Sequence, residues 1–472
     1  MNHDQLAAVR AILAGPPTHA HLLGMAGVGM AGVAVHLAHR GFRVTGCDLF
    51  TGPIVDWLRA RGIAVDIGHS PTHITSDVGW LVRSAAVDES DPEILAARAR
   101  GLPVFARGEV LPALLDGRRS VAVSGTHGKT TTTAMVAHVL RGAGIDCGFC
   151  IGGEFDALGG VAGAGSAREI VVEADESDGT VELYEPDYAL ITNAELDHVD
   201  FFPSRASLID CLSRFAVNAR TRAVLCADDA GTLDIAARAT RPLLYGLSED
   251  AHVRGVNIVA GPGSVTCDVI SNARKMGNLT LPILGIHNIV NALGTCAVAL
   301  DMDVPFEKIQ SALAVFRPVR RRFERVHDAG GITVISDYAH HPTEIRCLVE
   351  QAKALGKGRI VAVFQPHRYS RTRTLGPDFP AAFEGLDRLV LVPVYAASER
   401  PVPGGTTNDL YVHCRARGNV PVENAASLRE AWGKIRGDLR CGDLFLVIGA
   451  GDVEKIAFWA KDVLQRKYSP IK

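Results

Sequence analysis

The sequence predicts an α/β protein of three domains, each built on a mainly parallel sheet. Short apolar runs ending in Gly-rich or polar turns alternate with helical patterns along the chain, the order that parallel sheets require. The 472 residues suffice for roughly three domains of about 150 residues each. Natural boundaries are "LLDGRRS" near 118 and "FRPVRRR" near 318, giving domains over 1–118, 119–318 and 319–472.

The first domain opens with "HAHLLGMAGVGMAG" and continues through "FRVTGCD", which ends at Asp48, and "WLVRSAAV". Gly27, Gly29 and Gly32 fit GxGxxG behind an apolar strand. Such glycines let a backbone approach a pyrophosphate at a helix N-terminus. A nucleotide diphosphate sugar satisfies that pattern as well as NAD does, and so does a tight turn packed on a helix.

The second domain opens with "SVAVSGTHGKTTTT" and continues through "REIVVEADESD", "YALITNAELDHVD" and "RAVLCADD". A Walker A loop has a glycine five residues before its Gly-Lys pair; that position is Val123, and the nearest glycine upstream, Gly125, stands three before Gly128. The loop still lies between an apolar strand and a helix. Its backbone N–H groups can wrap phosphate, Lys129 can neutralise the β and γ groups, and the Thr130 hydroxyl can ligate Mg²⁺. A Thr-rich helix cap would explain Thr130 but not the Gly-Lys pair. Glu173, Asp175, Glu176 and Asp178 crowd the next strand end, where a shared cation is the simplest relief of their repulsion. Asn193, Glu195, Asp197 and His198 crowd another. "LPILGIHNIVNALG" then sets His287 and Asn291 on one helix face.

The third domain follows "FRPVRRRFE" and carries strands in "GITVISDYAHHP", "RIVAVFQPHRYSR", "RLVLVPVY" and "DLFLVIGAGD". Its strand ends concentrate Asp337, His340, His341, His367, Arg368, Arg371 and Arg373. Arginine forks there suit carboxylates and phosphates.

Composition excludes several classes. With 49 Lys plus Arg against 52 acids, no global field would hold nucleic acid or an anionic membrane, so neither is an expected partner. The N-terminus does not read as a signal peptide, and no run of about 18 uncharged apolar residues occurs. Ten scattered cysteines, mostly inside apolar runs, suit reduced thiols in the cytoplasm. Cys147 and Cys150 have CxxC spacing without a second pair, so a redox or metal role is not the favoured reading.

Together "GTHGKTTTT", "EADESD", "NAELDHVD", "GIHNIVNAL", "RRRFE", "DYAHHPTE" and "FQPHRYSRTR" resemble, in order, the motifs of the Mur ligases of bacterial peptidoglycan synthesis. The resemblance implies a Rossmann-like first domain for a UDP-sugar, a central P-loop ATPase-like domain, and a Rossmann-like third domain that binds an amino acid and closes on ATP. It implies phosphoryl transfer from ATP to the carboxylate of UDP-N-acetylmuramic acid, then attack by L-alanine on the acyl phosphate. The related ligase that adds a tripeptide shares "AHHP" but is not expected to carry "FQPHRYSRTR". Carried over by motif, Gly125, Thr126, His127, Gly128, Lys129, Thr130 and Thr131 would hold ATP phosphates. Lys129, Glu173 and His198 would be the catalytic set. Thr130 and Glu173 would hold one Mg²⁺ (or Mn²⁺) and His198 a second. His287 and Asn291 would hold adenine, and Arg322 and Asp337 phosphate and ribose. Tyr338, His340, Arg368 and Arg371 would line the amino-acid pocket. Gly27, Gly29, Gly32, Asp48, Ser84 and Arg107 would bind the UDP end, with His127 and Asn193 near the sugar. The expected assembly is a monomer or weak homodimer. The family's glycine loop reads closer to GIGGxGMSG; here Met25, Ala26 and Ala31 depart from it, as Ser336 does before Asp337. The rival readings are a nicotinamide-dependent oxidoreductase and a non-catalytic nucleotide-binding module.

Overall fold

The computed structural model describes residues 3–397 and 399–468. Three sheets follow one another along the chain. The first is five-stranded and parallel, in the spatial order Ala64–Ile67, Arg43–Asp48, His19–Leu23, Val78–Arg83, Val104–Ala106. Strand order reverses at His19–Leu23, so the crevice beyond its carboxyl end, between the turns at Gly24 and Ser84, is where an open sheet of this kind takes a ligand.

The central sheet has ten strands. Arg119–Ser124 lies between Glu169–Glu173 and Tyr188–Ile191, parallel to both, with Val123 opposite Glu173 and Ser124 opposite Ile191. This register brings the ends carrying "GTHGKT", "EADESD" and "NAELDHVD" together. Three antiparallel strands, Val253–Ala260, Val265–Ser271 and Arg274–Leu281, extend one edge. The sequence reading does not foresee this extension. Its last turn puts Asn272 and Ala273 both at positive φ, the geometry that tight hairpin turns require and usually announce with Asn-Gly.

The third sheet runs Glu324–Ala329, Ile332–Asp337, Leu444–Ile448, Ile360–Phe364, Arg388–Leu391, Val422–Asn424, parallel except for its first strand. Alternate residues of its strands face two apolar layers, Ile335 and Phe364 on one side, Val334 and Val363 on the other.

The first two domains share a core rather than facing each other across a cleft. Leu22, Met30 and Trp80 belong to the same buried apolar cluster as Ala122, Ile170 and Phe215. Helix Val28–His39 lies at that junction, where His36 Nε2 meets the Phe149 carbonyl at 3.1 Å. Gly32 is buried there, and a Cβ on it would stand 3.0 Å from Cys150 Sγ. The third glycine of GxGxxG, expected beside a diphosphate, therefore serves close packing between domains. A Gly32→Val change is expected to cost about 1–3 kcal/mol through overpacking, read as a lower calorimetric midpoint. Cys147 and Cys150 are buried and free, like most of the cysteines. Among the described residues, no helix is long and apolar enough to cross a membrane.

The junction "FRPVRRR" is anchored: Phe316 and Val319 are buried in the central core while Arg317 is exposed. Arg320 pairs with Asp156 at 3.1 Å and Arg321 donates to the Gly449 and Gly451 carbonyls at 2.7 and 2.9 Å. Of the four arginines, Arg322 faces the cleft between the central and third domains, 3.9 Å from Glu344.

Candidate active site

Strand Arg119–Ser124 turns through Gly125–Gly128 into helix Lys129–Gly142. Gly125 and Gly128 adopt φ of +118° and +81°, which side-chain-bearing residues rarely reach. A Cβ would also lie 2.8 Å from the Asn193 carbonyl at the first and 2.9 Å from Asn291 Oδ1 at the second. The compact loop is thus pressed against two neighbouring segments. Asn193, expected beside a sugar, holds the loop itself: its Oδ1 accepts from His127 N at 2.9 Å and its Nδ2 donates to His127 O at 3.0 Å. Thr130 and Thr131 fall in the first helical turn, where N–H groups lack intrahelical partners and favour an anion.

Lys129 Nζ donates to Glu176 Oε1 at 2.8 Å and to the Gly125 and Thr126 carbonyls at 2.6 and 3.1 Å. Burial disfavours its charge, but Glu176, Asp175 and Glu173 outweigh that and raise its pKa. Burial raises Glu176 to about 7 against the pull of Lys129. Thr130 Oγ1 donates to Glu173 Oε1 at 3.1 Å, and Glu173 also accepts from Gly152 N at 2.8 Å. His198 Nε2 stands 3.7 Å from Glu176, and burial lowers its pKa. Asp175, Glu176 and His198 bring ligand atoms within 4.8 Å of one another. Glu176 Oε2 and His198 Nδ1 are buried without hydrogen-bond partners. Carboxylate and hydroxyl oxygens with unused lone pairs beside a phosphate loop fit Mg²⁺.

The third domain docks onto this cluster. Arg371, 4 % exposed, grips Asp197 through Nε and Nη2 at 2.9 and 3.1 Å. Arg368 reaches Asp200 at 2.7 Å and Thr343 Oγ1 donates to Glu195 at 2.8 Å. His127 joins Glu195 at 3.1 Å and Glu344 at 3.2 Å. Burial works against charge on His127, but the two carboxylates prevail and raise its pKa to about 9. Glu344 also accepts from the His340 and His341 amides, and His340 lies between Tyr338 and His367 with its pKa lowered to about 4 by burial. A raised histidine pKa makes this contact fully effective below the ordinary 6.5 and progressively lost as pH rises through about 9. Glu344→Gln is accordingly expected to lower the His127 pKa, read by imidazole NMR titration, and to flatten any loss of docking above pH 7.

From the first domain, Gly27 caps helix Val28–His39, and a Cβ on Gly29 would stand 3.0 Å from the Arg107 side chain. Arg107 spans to Asp175 at 3.6 Å, its pKa raised by that carboxylate despite burial. Asp48 accepts from Ala26 N at 2.8 Å and so shapes the glycine loop; Ser84 accepts from Ala86 N at 3.3 Å beside it. Opposite, Asn291 abuts the phosphate loop while His287 meets Gln351 Nε2 at 2.9 Å. Asp337 accepts from Phe323 N and Ala339 N at 2.6 and 2.7 Å, with burial raising its pKa to about 6. Arg321 and Arg322 both lie over the Tyr338 ring.

Sequence comparison matches this order of domains. The Mur ligase family catalytic domain matches residues 19–119, the Mur ligase middle domain 123–299, and the Mur ligase glutamate ligase domain 321–451. The chain belongs to the Mur ligase family. It is 38 % identical to the UDP-N-acetylmuramate--L-alanine ligase of Solidesulfovibrio magneticus, over 92 % of this chain and 96 % of that one. The crystal structure of UDP-N-acetylmuramate-alanine ligase from Thermotoga maritima superimposes with a TM-score of 0.82 at 28 % identity, covering 95 % of this chain and 100 % of that one. A murein peptide ligase from Psychrobacter arcticus, 23 % identical over 96 % of this chain and 100 % of that one, shares the fold at a TM-score of 0.72.

In this Mur ligase, four acids to which the motif resemblance gave no individual role complete the site: Glu176 beside Lys129, Asp175 beside Arg107 and Asp197 beneath Arg371, all three from the acidic strand ends already singled out, and Glu344 beside His127. All four lie inside quoted motifs, and their excess of acids over ligating duties was the available signal. Glu344 additionally reads as the third residue of a helix capping box, which hides its outward oxygen.

Proposed function

We propose that the chain joins L-alanine to the carboxylate of UDP-N-acetylmuramic acid in peptidoglycan precursor synthesis, with ATP as phosphoryl donor and an acyl phosphate as intermediate. The observation that carries this reading is convergence: Arg107 of the first domain and Glu344 of the third both reach the cluster around the phosphate loop. Such a meeting point suits a reaction whose carboxylate, phosphate and amine come from three ligands.

On this reading Lys129 leaves Glu176 for the β and γ phosphates, while Gly125–Thr131 amides wrap them. Glu176, released by Lys129, would exchange that counter-charge for a metal ion. Thr130 and Glu173 would hold one Mg²⁺, and His198 with Asp175 and Glu176 a second. Bound there, Mg²⁺ would screen the repulsion between the phosphate and the sugar carboxylate. His287 and Asn291 would face adenine, and Arg322 with Asp337 the phosphate and ribose. Gly27, Gly29, Ser84 and Arg107 would take the diphosphate, with Asp48 ordering their loop. Leu49, Phe50 and Ile67, exposed beside Asp48, offer an apolar ledge for the base. Tyr338, His340 and Arg368 would receive the amino acid, with the Arg368 fork on its carboxylate. Arg371, buried on Asp197, is assigned to closing the cleft, and closure would keep water from the acyl phosphate.

The test is phosphate release from ATP with UDP-N-acetylmuramate and a panel of L-alanine, glycine, L-serine and a muramyl-type tripeptide. Release that requires the sugar nucleotide and is fastest with L-alanine is expected. Release dependent on the tripeptide, or independent of any amine, would overturn the assignment.

A further inference from the structure

We propose that a zinc-type metal site lies beneath the glycine-rich loop of the first domain, with His21, Cys47, His73 and Glu93 as its four ligands. The residues come from separate elements: strand His19–Leu23, strand Arg43–Asp48, the turn Pro71–His73 and helix Pro92–Ala99. One ligand atom from each falls within 4.8 Å of all the others. His21 Nε2 is 2.9 Å from Glu93 Oε2, His73 Nδ1 is 2.8 Å from Oε1, and Cys47 Sγ is 3.2 and 3.3 Å from the two oxygens. Tetrahedral zinc, with bonds of about 2.0–2.3 Å, sets its ligand atoms about 3.3–3.6 Å apart. The contacts to Glu93 therefore need to open by about half an ångström or less, and the remaining ligand atoms already lie within 4.8 Å of one another.

The surroundings supply the charge balance and supporting contacts that a metal needs. Glu93 is fully buried and, among the described residues, its ion-pair partners are His21 and His73, with no Lys or Arg. Its charge is held by the His21 and His73 rings and the Ser70 amide, and a divalent ion would take the place of the two ring donors. A divalent ion would be neutralised by the Cys47 thiolate and the Glu93 carboxylate together. An outer shell is already in place: His21 Nδ1 meets Thr45 Oγ1 at 2.8 Å, and Ser70 N donates to Glu93 Oε1 at 2.8 Å. Metal binding would release the thiol proton to solvent and move each ring's proton to its other nitrogen, so that His21 donates to Thr45. Two imidazoles and a thiolate select zinc over magnesium, which takes oxygen donors. His73, the least buried of the four at 19 % side-chain exposure, provides the way in.

The site would brace the loop above it. The Cys47 carbonyl accepts from Gly24 N and Met25 N at 3.0 and 3.1 Å, and the next residue, Asp48, holds Ala26 N. None of the four ligands belongs to the phosphate-loop cluster, so the inference stands apart from the ligase reading.

The test is cobalt and zinc binding to the chelator-stripped full chain, with excess Mg²⁺ present to fill the oxygen donors around the phosphate loop. One equivalent of Co²⁺ is expected, with a near-ultraviolet thiolate-to-cobalt charge-transfer band, and zinc is expected to raise the melting temperature. Cys47→Ser keeps a hydroxyl against Glu93 and should fold; it is expected to lose that band and weaken zinc binding by about 100-fold or more, beyond the usual cost of losing an outer-shell partner. His73→Asn, at the exposed side, should weaken binding while leaving the band shape thiolate-like. A cobalt spectrum without the thiolate band, zinc affinity unchanged in Cys47→Ser, or no zinc retained on dialysis would each overturn the site.

Discussion

Lys129→Ala is expected to lower kcat for ATP-dependent phosphate release by about 10³-fold, roughly 4 kcal/mol of transition-state stabilisation, while the fold survives. The ammonium is lodged inside the phosphate loop, held by two loop carbonyls and Glu176. Its removal leaves Glu176 buried without a cation, yet that carboxyl already has a pKa of about 7 and can protonate. Stability should therefore fall modestly, and more at alkaline pH, where Glu176 must stay charged. Glu176→Gln added to Lys129→Ala should restore the melting temperature and not the activity. Recovery of activity in the double variant would show that Lys129 acts only as the counter-charge of Glu176.

Arg371→Met is expected to weaken docking of the third domain by about 3–5 kcal/mol, the usual consequence of leaving one partner of a buried ion pair alone. Asp197 is nearly as buried as Arg371 and is gripped at two points. Small-angle scattering should show a larger radius of gyration, and ligation should slow in step. Arg371→Met with Asp197→Asn removes the stranded charge and should recover much of the compact form. An unchanged scattering profile in the single variant would contradict the latch.

Local patterns were the legible part of this chain. The strand, turn and helix around Gly125–Lys129 follow from an apolar run, two glycines and a Thr-rich helix start, and neighbouring strand ends follow from βαβ order. Partners far apart in sequence were not legible. Arg371 reads as an anion binder because arginine forks suit carboxylates, but the carboxylate that it meets is Asp197 of another domain. Gly32 reads as a phosphate glycine because the motif spacing is the same whether a glycine admits a ligand or a neighbouring strand. Asn193 reads as a polar ligand contact, yet its amide satisfies both polar groups of the His127 backbone. The hairpin at Asn272–Ala273 lacked the glycine that marks such turns. In each case the residue type was informative about chemistry, while only the three-dimensional register decided which group received it.

The most direct test of the central claim is to follow ¹⁸O from the carboxylate of labelled UDP-N-acetylmuramic acid during turnover with ATP and L-alanine. Attack of that carboxylate on the γ-phosphorus, followed by amide formation, leaves a carboxylate oxygen in the released phosphate. Phosphate carrying the label is the predicted result. Unlabelled phosphate from a turnover that forms the amide, with the expelled labelled oxygen found in AMP or water instead, would mean that the γ-phosphate never reaches the carboxylate.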